Sequence, residues 1–452
     1  MSPTIVREKA FYKSLLAIAL PIAMQNLIMF AINMADTVML GRLGEVYLSA
    51  STLANQAGFI FLLFIFGVGS GTNVMAAQYY GKGEIQEIHR VMALMYRLVC
   101  AGGVVFVLLA QIWPQQIMQI FSTDAEVIAQ GARFLRVVSL SYLPAGISSA
   151  TMIVQRSVGN VGICVAVYLA SLLTNVLGNW ILIFGNLGAP ALGIEGAAIA
   201  TVIARCVEMV IALGYVLCAE KKLRFRLAYL RQPVRRVLPE YIRTAFPVIF
   251  NELLWGLGAS VIAVVIGRLG TAATAAYSIT SVLGQLVTIT IFGVGNAAAV
   301  LIGNTVGAGE YERAKEYART MLVIALLLGI IGALVVLLLK DFAVSLYNIT
   351  PLARAHAGQM LYVYAGMALF KSLAAVSLIG VLRGGGDSRF VLVMDVVFMW
   401  TISIPLAYFA GHVWGAPVWI VYLAVQIDEV LKSLAGITRV LRGRWINDIT
   451  LK

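Results

Sequence analysis

Asp36 has the strongest claim to chemistry in this sequence. It stands in Asn33-Met34-Ala35-Asp36-Thr37, inside an apolar run, and no basic residue lies three or four positions away to neutralise it on a helix. A carboxylate at the centre of a bilayer costs at least about 2.5 kcal/mol, so its presence asks for a function. Asn175 and Asn179 lie one helical turn apart on one face of a later apolar segment, and Thr201 lies on the next. One carboxylate with amide and hydroxyl oxygens is a hard-oxygen set suited to Na⁺, and the carboxylate alone can carry a proton. The plainer alternative is a polar knot that ties helices together.

A second set follows. Glu252, in Asn251-Glu252-Leu253-Leu254-Trp255, falls about ten residues into its apolar segment, near mid-bilayer, and Asp395 sits in another. Both are candidates for a cationic substrate or a second ion; the alternative is a structural ion pair with Lys371. Arg205 with Glu208, and Asp428 and Glu429 with Lys432, have the spacing of self-neutralising helix pairs. Met24, Met29, Met34 and Met39, with Phe30, Trp255 and Tyr277, are expected to line an adaptable apolar cavity, against the alternative of ordinary packing. Cys100, Cys164, Cys206 and Cys218 form no Cys-x-x-Cys, and His89, His356 and His412 are scattered. We expect no metal other than Na⁺, no cofactor and no enzymatic nucleophile–base pair.

The elements that must position these residues are membrane helices. The chain of 452 residues is 61% hydrophobic and only 12% charged, with a mean hydropathy of +0.91. Apolar spans recur along its whole length, at 12–40, 49–73, 90–111, 127–153, 162–184, 194–218, 240–267, 275–299, 316–339, 355–382, 389–411 and 418–441. Each approaches the ~20 residues that cross a bilayer. The reading is an all-α polytopic membrane protein of about 12 transmembrane helices, with no signal peptide in Met1 to Lys9.

The second half repeats the first. A shift of 226 positions carries Pro21 to Pro247, Gly41-Arg42-Leu43-Gly44 to Gly267-Arg268-Leu269-Gly270, and Gly81-x-Gly83-Glu84 to Gly307-x-Gly309-Glu310. One further position carries Arg156, Arg205 and Gly188-Ala189-Pro190 to Arg383, Lys432 and Gly415-Ala416-Pro417. The expected domains are two pseudo-symmetric six-helix lobes, 1–219 and 239–452, joined by a basic cytoplasmic linker at 220–238. Paired six-helix repeats of this kind are the plan of a secondary transporter. Pro21 and Pro247 are candidate hinges, or static kinks, in the first helix of each lobe. Gly67-Val68-Gly69-Ser70-Gly71 has the look of a phosphate loop, but no strand precedes it; close helix packing is the expected role.

The net charge of +12 does not imply nucleic acid. Lys221, Lys222, Arg224, Arg226, Arg231, Arg235 and Arg236 crowd the linker; Arg313, Lys315 and Arg319, then Arg383 and Arg389, then Arg439, Arg442, Arg444 and Lys452 mark further loops. All fall on one side of the expected topology, whereas 185–193 and 411–417 hold no Lys or Arg. The positive-inside rule then puts both termini in the cytoplasm of a multi-pass inner-membrane protein.

These motifs resemble one family, multidrug and toxic compound extrusion, over nearly the full chain. The resemblance rests on the Pro21 helix leading to Asp36-Thr37-Val38-Met39-Leu40-Gly41, on Gln155-Arg156-Ser157-Val158-Gly159-Asn160, on Asn175-x-x-x-Asn179-Trp180, and on Leu382-Arg383-Gly384-Gly385-Gly386-Asp387. It implies a V-shaped pair of lobes that exchange Na⁺ or H⁺ for organic cations. Asp36 matches the family's first-lobe ion site and Asn175, Asn179 and Thr201 its neighbours, although some members carry an aspartate where Asn179 stands. Glu252 matches a seventh-helix glutamate, while a tenth-helix aspartate of the same branch aligns with Ser372. The expected activity is therefore export of organic cations or amphipathic drugs, with a monomer sufficient. The alternative is a flippase for a lipid-linked substrate, for which a cavity rich in Arg and Lys is expected.

Overall fold

The computed structural model describes residues 5–347 and 349–448, so Met1 and Lys452 lie outside the described residues. Among them the chain is helical, with no strand. The helices are α1 (Lys9–Gly41), α2 (Glu45–Lys82), α3 (Ile85–Ile112), α4 (Pro114–Phe121), α5 (Ala125–Ser139), α6 (Tyr142–Ser157), α7 (Gly162–Phe184) and α8 (Gly193–Cys218). After the linker come α9 (Leu238–Gly267), α10 (Thr271–Gly307), α11 (Tyr311–Ser345), α12 (Pro351–Ala375), α13 (Ser388–Val397), α14 (Ile404–Tyr408) and α15 (Val418–Leu441). A π turn prolongs α12 to Leu382, and two more run α13 and α14 into one helix ending at Val413.

Ten of these helices are long and apolar enough to cross a membrane, and α5 with α6 makes an eleventh span bent by 48°. The bend has a local cause. Pro144 lacks an N–H and its ring excludes the Leu140 carbonyl one turn back. The amides of Leu140 and Ser141 instead close short turns onto Val137 and Val138. The twelfth expected span, α15, has 24 residues but carries Asp428, Glu429 and Lys432 near its middle. Gly83 and Gly309, repeat mates, hold φ of 82° and 78° just after α2 and α10. A side chain there would be strained, which accounts for the recurrence of Gly-x-Gly-Glu.

Compactness divides the chain differently from the repeat. One unit contains residues 1–23, 77–83 and 250–452; the other contains 24–76 and 84–249. The expected cut at 220–238 therefore does not separate them: each unit holds the start of the other half's first helix. Small residues permit this. In the second unit a Cβ added at Gly67 would come 2.6 Å from the Ile249 Cα, and one at Gly71 2.3 Å from the Ala245 Cβ. In the first, one at Gly293 would meet the Ala23 Cβ at 3.1 Å. These are mate positions, and the glycine run is a packing surface. Both prolines lie inside their helices, and the divisions at 23/24 and 249/250 fall just after them.

Candidate functional site

In the unit built on 24–76 and 84–249, α1, α7 and α8 bring together the first expected set. The Asn179 Nδ2 donates to Asp36 Oδ1 at 2.5 Å and to Asn175 Oδ1 at 3.2 Å. Asn175 Nδ2 reaches the Thr201 hydroxyl at 3.5 Å, and that hydroxyl donates back to the Ala197 carbonyl. Asn175 and Asn179 are buried. Because the Asn179 amide must turn its nitrogen to the carboxylate, its oxygen faces away, and that Oδ1 finds no partner among the described residues. A buried amide oxygen left without a donor costs roughly 1–3 kcal/mol. The Asp36 carboxylate, held by this amide donor, keeps acceptor capacity for a cation. One turn further along α8, Arg205 holds Glu208 at 2.6 Å, as its i,i+3 spacing predicts, and also acts electrostatically on Asp36.

The second set differs from expectation in its partners. Glu252 and Asp395 do not pair with Lys371. Glu252 is held by Arg383 at 2.9 Å, and Asp395 by Lys432 at 3.0 Å, with the Arg383 guanidinium 3.9 Å away. Lys432 also binds Asp428, its i,i+4 neighbour, at 2.7 Å. The Lys371 ammonium lies over the Tyr364 ring at 5.4 Å. Arg383 was expected in a basic loop; the π turn after α12 keeps it in the helical column, 3% exposed. Its signal in the sequence was the repeat, which returns Arg156 at Arg383.

Asn251 donates to Asp395 at 3.0 Å, so its oxygen too is turned away, and it has no partner among the described residues. Asn251, Trp255 and Asp395 border one recess with Val396, Met399 and Trp400, which is closed in this structure and has no room for a water molecule. Tyr277 is not among them: it packs edge-on against Tyr422, with ring centroids 6.1 Å apart. The four methionines do not share one helix face. Residues five apart turn by about 140° on a helix and cannot share a face: Met24 and Met34 are exposed, Met29 touches Arg205 and Met39 packs on the core.

Each cluster carries an unbalanced charge. Asp36 and Glu208 face one arginine; Glu252, Asp395, Asp428 and Glu429 face Arg383, Lys432 and Lys371. Fully ionised, each is one negative charge in excess. No group of three or more His, Cys, Asp or Glu side chains able to hold a metal occurs among the described residues.

The comparisons agree with this architecture. The MatE family model matches residues 21–181 and 247–409, two stretches whose starts differ by the repeat shift of 226. The chain is 26% identical to "Probable multidrug resistance protein NorM" of Agrobacterium fabrum, covering 88% of this chain and 86% of that protein. It is 25% identical to "Multidrug resistance protein PmpM" of Pseudomonas aeruginosa, over 90% and 85%. In fold it is similar to the Vibrio cholerae MATE transporter VcmN in its bent form, with a TM-score of 0.86 at 18% identity, covering 96% and 97% of the two chains. The eukaryotic MATE transporter AtDTX14 gives the same score and identity over 97% of each. A family model that covers both halves, on a fold of this kind, leaves one conclusion: the chain belongs to the MatE family of membrane transporters.

Proposed function

We propose that the protein is a secondary active antiporter of a bacterial inner membrane, which exports organic cations or amphipathic drugs in exchange for Na⁺ or H⁺. The observation that carries this is the Asp36 group: a carboxylate that forms no salt bridge among the described residues and is held by the Asn179 amide. Asp36 takes the coupling ion. Asn251, Trp255 and Asp395 meet the positively charged part of the substrate, or a second ion, in a conformation that opens the closed recess they border, with an indole face beside the charge. Coupling requires only that ion and drug prefer different conformations, with Pro21 and Pro247 as the hinges. The names of the NorM and PmpM relatives support the substrate class.

The test is transport of ethidium in proteoliposomes under an imposed Na⁺ gradient, or an imposed pH gradient, with Asp36→Asn as control. A response to Na⁺ alone assigns the Asp36 group to a metal ion; a response to pH alone makes Asp36 a proton carrier. Silence of folded protein under both sinks antiport of organic cations and points to the lipid-linked alternative. Against that alternative, the half-buried Arg205 and the buried Arg383 and Lys432 are already paired with carboxylates.

A further inference from the structure

The linker carries seven cations in the sixteen residues 221–236, and the structure does not leave it slack. Its first residue, Glu220, is buried, and its carboxylate accepts the backbone N–H groups of Lys222, Leu223 and Arg224 at 2.6–2.8 Å and the Asn160 amide at 3.3 Å. These bonds hold Arg224 at a φ of 50°, a conformation that a residue with a side chain adopts only when its surroundings compel it. The Leu223 carbonyl bonds to the His89 ring at 2.8 Å, and Tyr229 stacks on that ring at 4.3 Å. The Arg97 guanidinium ties down the carbonyls of Leu230 and Gln232 at 2.6 and 2.9 Å. The Lys222 ammonium is used internally, on the Val158 carbonyl.

The side chains sort themselves accordingly. Leu223, Phe225 and Val237 are buried, while Lys221, Arg224, Arg226, Arg231 and Arg235 project outward, and none of these five makes an ion pair with a described residue. Arg236 reaches Glu87 at 3.8 Å, and Glu87 also serves Arg90. The strip is therefore a fixed row of cations, and Glu220 and Glu87, the carboxylates that touch it, are already occupied. It runs directly into α9, where Leu238, Ile242 and Phe246, four apart, are 36%, 54% and 61% exposed and form an apolar stripe. Leu227, between Arg226 and Arg231, is 57% exposed as well. Cations fixed where an apolar stripe begins lie at the height of lipid headgroups, and the missing counter-charge is a phosphate.

We propose that the 220–236 strip is a preformed binding surface for anionic phospholipid headgroups of the surrounding bilayer, with Glu220 as its positioning residue. The probe is phosphatidylglycerol against phosphatidylcholine, measured as lipid retained on the purified full-length protein by native mass spectrometry. Wild type should retain phosphatidylglycerol in preference, and the combined variant Arg226→Gln/Arg231→Gln/Arg235→Gln should lose that preference at least tenfold. Glu220→Gln, which makes the strip more positive by one charge but releases its backbone, should also weaken it; net charge alone would strengthen it. Equal preference in wild type and the triple variant overturns the proposal. So does loss of the preference to millimolar inorganic phosphate, which would make this a site for a free anion.

Discussion

A cation in the interior of this protein is judged by what it leaves behind when removed. Arg383 neutralises Glu252 at 2.9 Å and stands beside Asp395. Arg383→Gln should cost about 3–5 kcal/mol, because it strands a buried carboxylate. Arg383→Gln/Glu252→Gln should recover most of that loss, read as the thermal midpoint in detergent; an additive double variant would show that the pair is not a unit. Asp36 has no such cation bound to it. Asp36→Asn should leave expression and thermal stability near wild type and abolish drug extrusion; wild-type resistance in cells carrying it removes Asp36 from the coupling site. Substituting Tyr277 by Phe should leave transport intact, since that ring belongs to core packing against Tyr422.

At the scale of the elements, the helices meet through repeat-related small residues. A Cβ at Gly307 would lie 1.9 Å from the Gln78 carbonyl oxygen, and one at Gly81, its mate, 2.0 Å from that of Asn304. Gly307→Ala must therefore separate two backbones and should destabilise the protein by about 1–3 kcal/mol, measured by thermal unfolding. At Gly214, where a Cβ meets nothing within 4 Å, the same change on α8 should be neutral or favourable. Pro21 and Pro247 stand just before the points where α1 and α9 pass from one unit to the other. Pro247→Ala restores the missing backbone donor there and should slow transport more than it alters stability. Unchanged transport rates would make the kink a static one.

For the molecule as a whole, each unit holds a polar cluster short of one positive charge. The consequence is a separation of roles. Asp36→Asn balances the charge of its own unit, so ion dependence should vanish. Equilibrium binding of an organic cation to the Asn251–Asp395 recess of the other unit should then change by less than about threefold, under 1 kcal/mol. Loss of both together, in fluorescence binding with ethidium, would mean that one site serves ion and drug.

Much of this was legible in the sequence, because its causes are local or periodic. Apolar length and polar spacing identify membrane helices; the one-turn spacing of Asn175 and Asn179, and of Asp428 and Lys432, puts those side chains on common faces; the repeat aligns Arg156 with Arg383. In the bent span at 127–153, Pro144 is visible in the sequence, but the bend also depends on where the Leu140 and Ser141 amides find other acceptors. Choice of partner is different in kind. Glu252 joins Arg383 and not Lys371, although 131 residues separate the pair, because a π turn keeps Arg383 in the helix and an aromatic ring receives the lysine. Likewise α1 and α9 each begin in the other half's unit, since close approach at Gly67, Gly71 and Gly293 is a property of two surfaces. The sequence by itself determined the helices, their number to within one or two and the carboxylates that lipid would not tolerate idle. Which cation meets a carboxylate on another helix was decided only by the tertiary structure, because contacts between helices depend on distances that no spacing along a chain encodes.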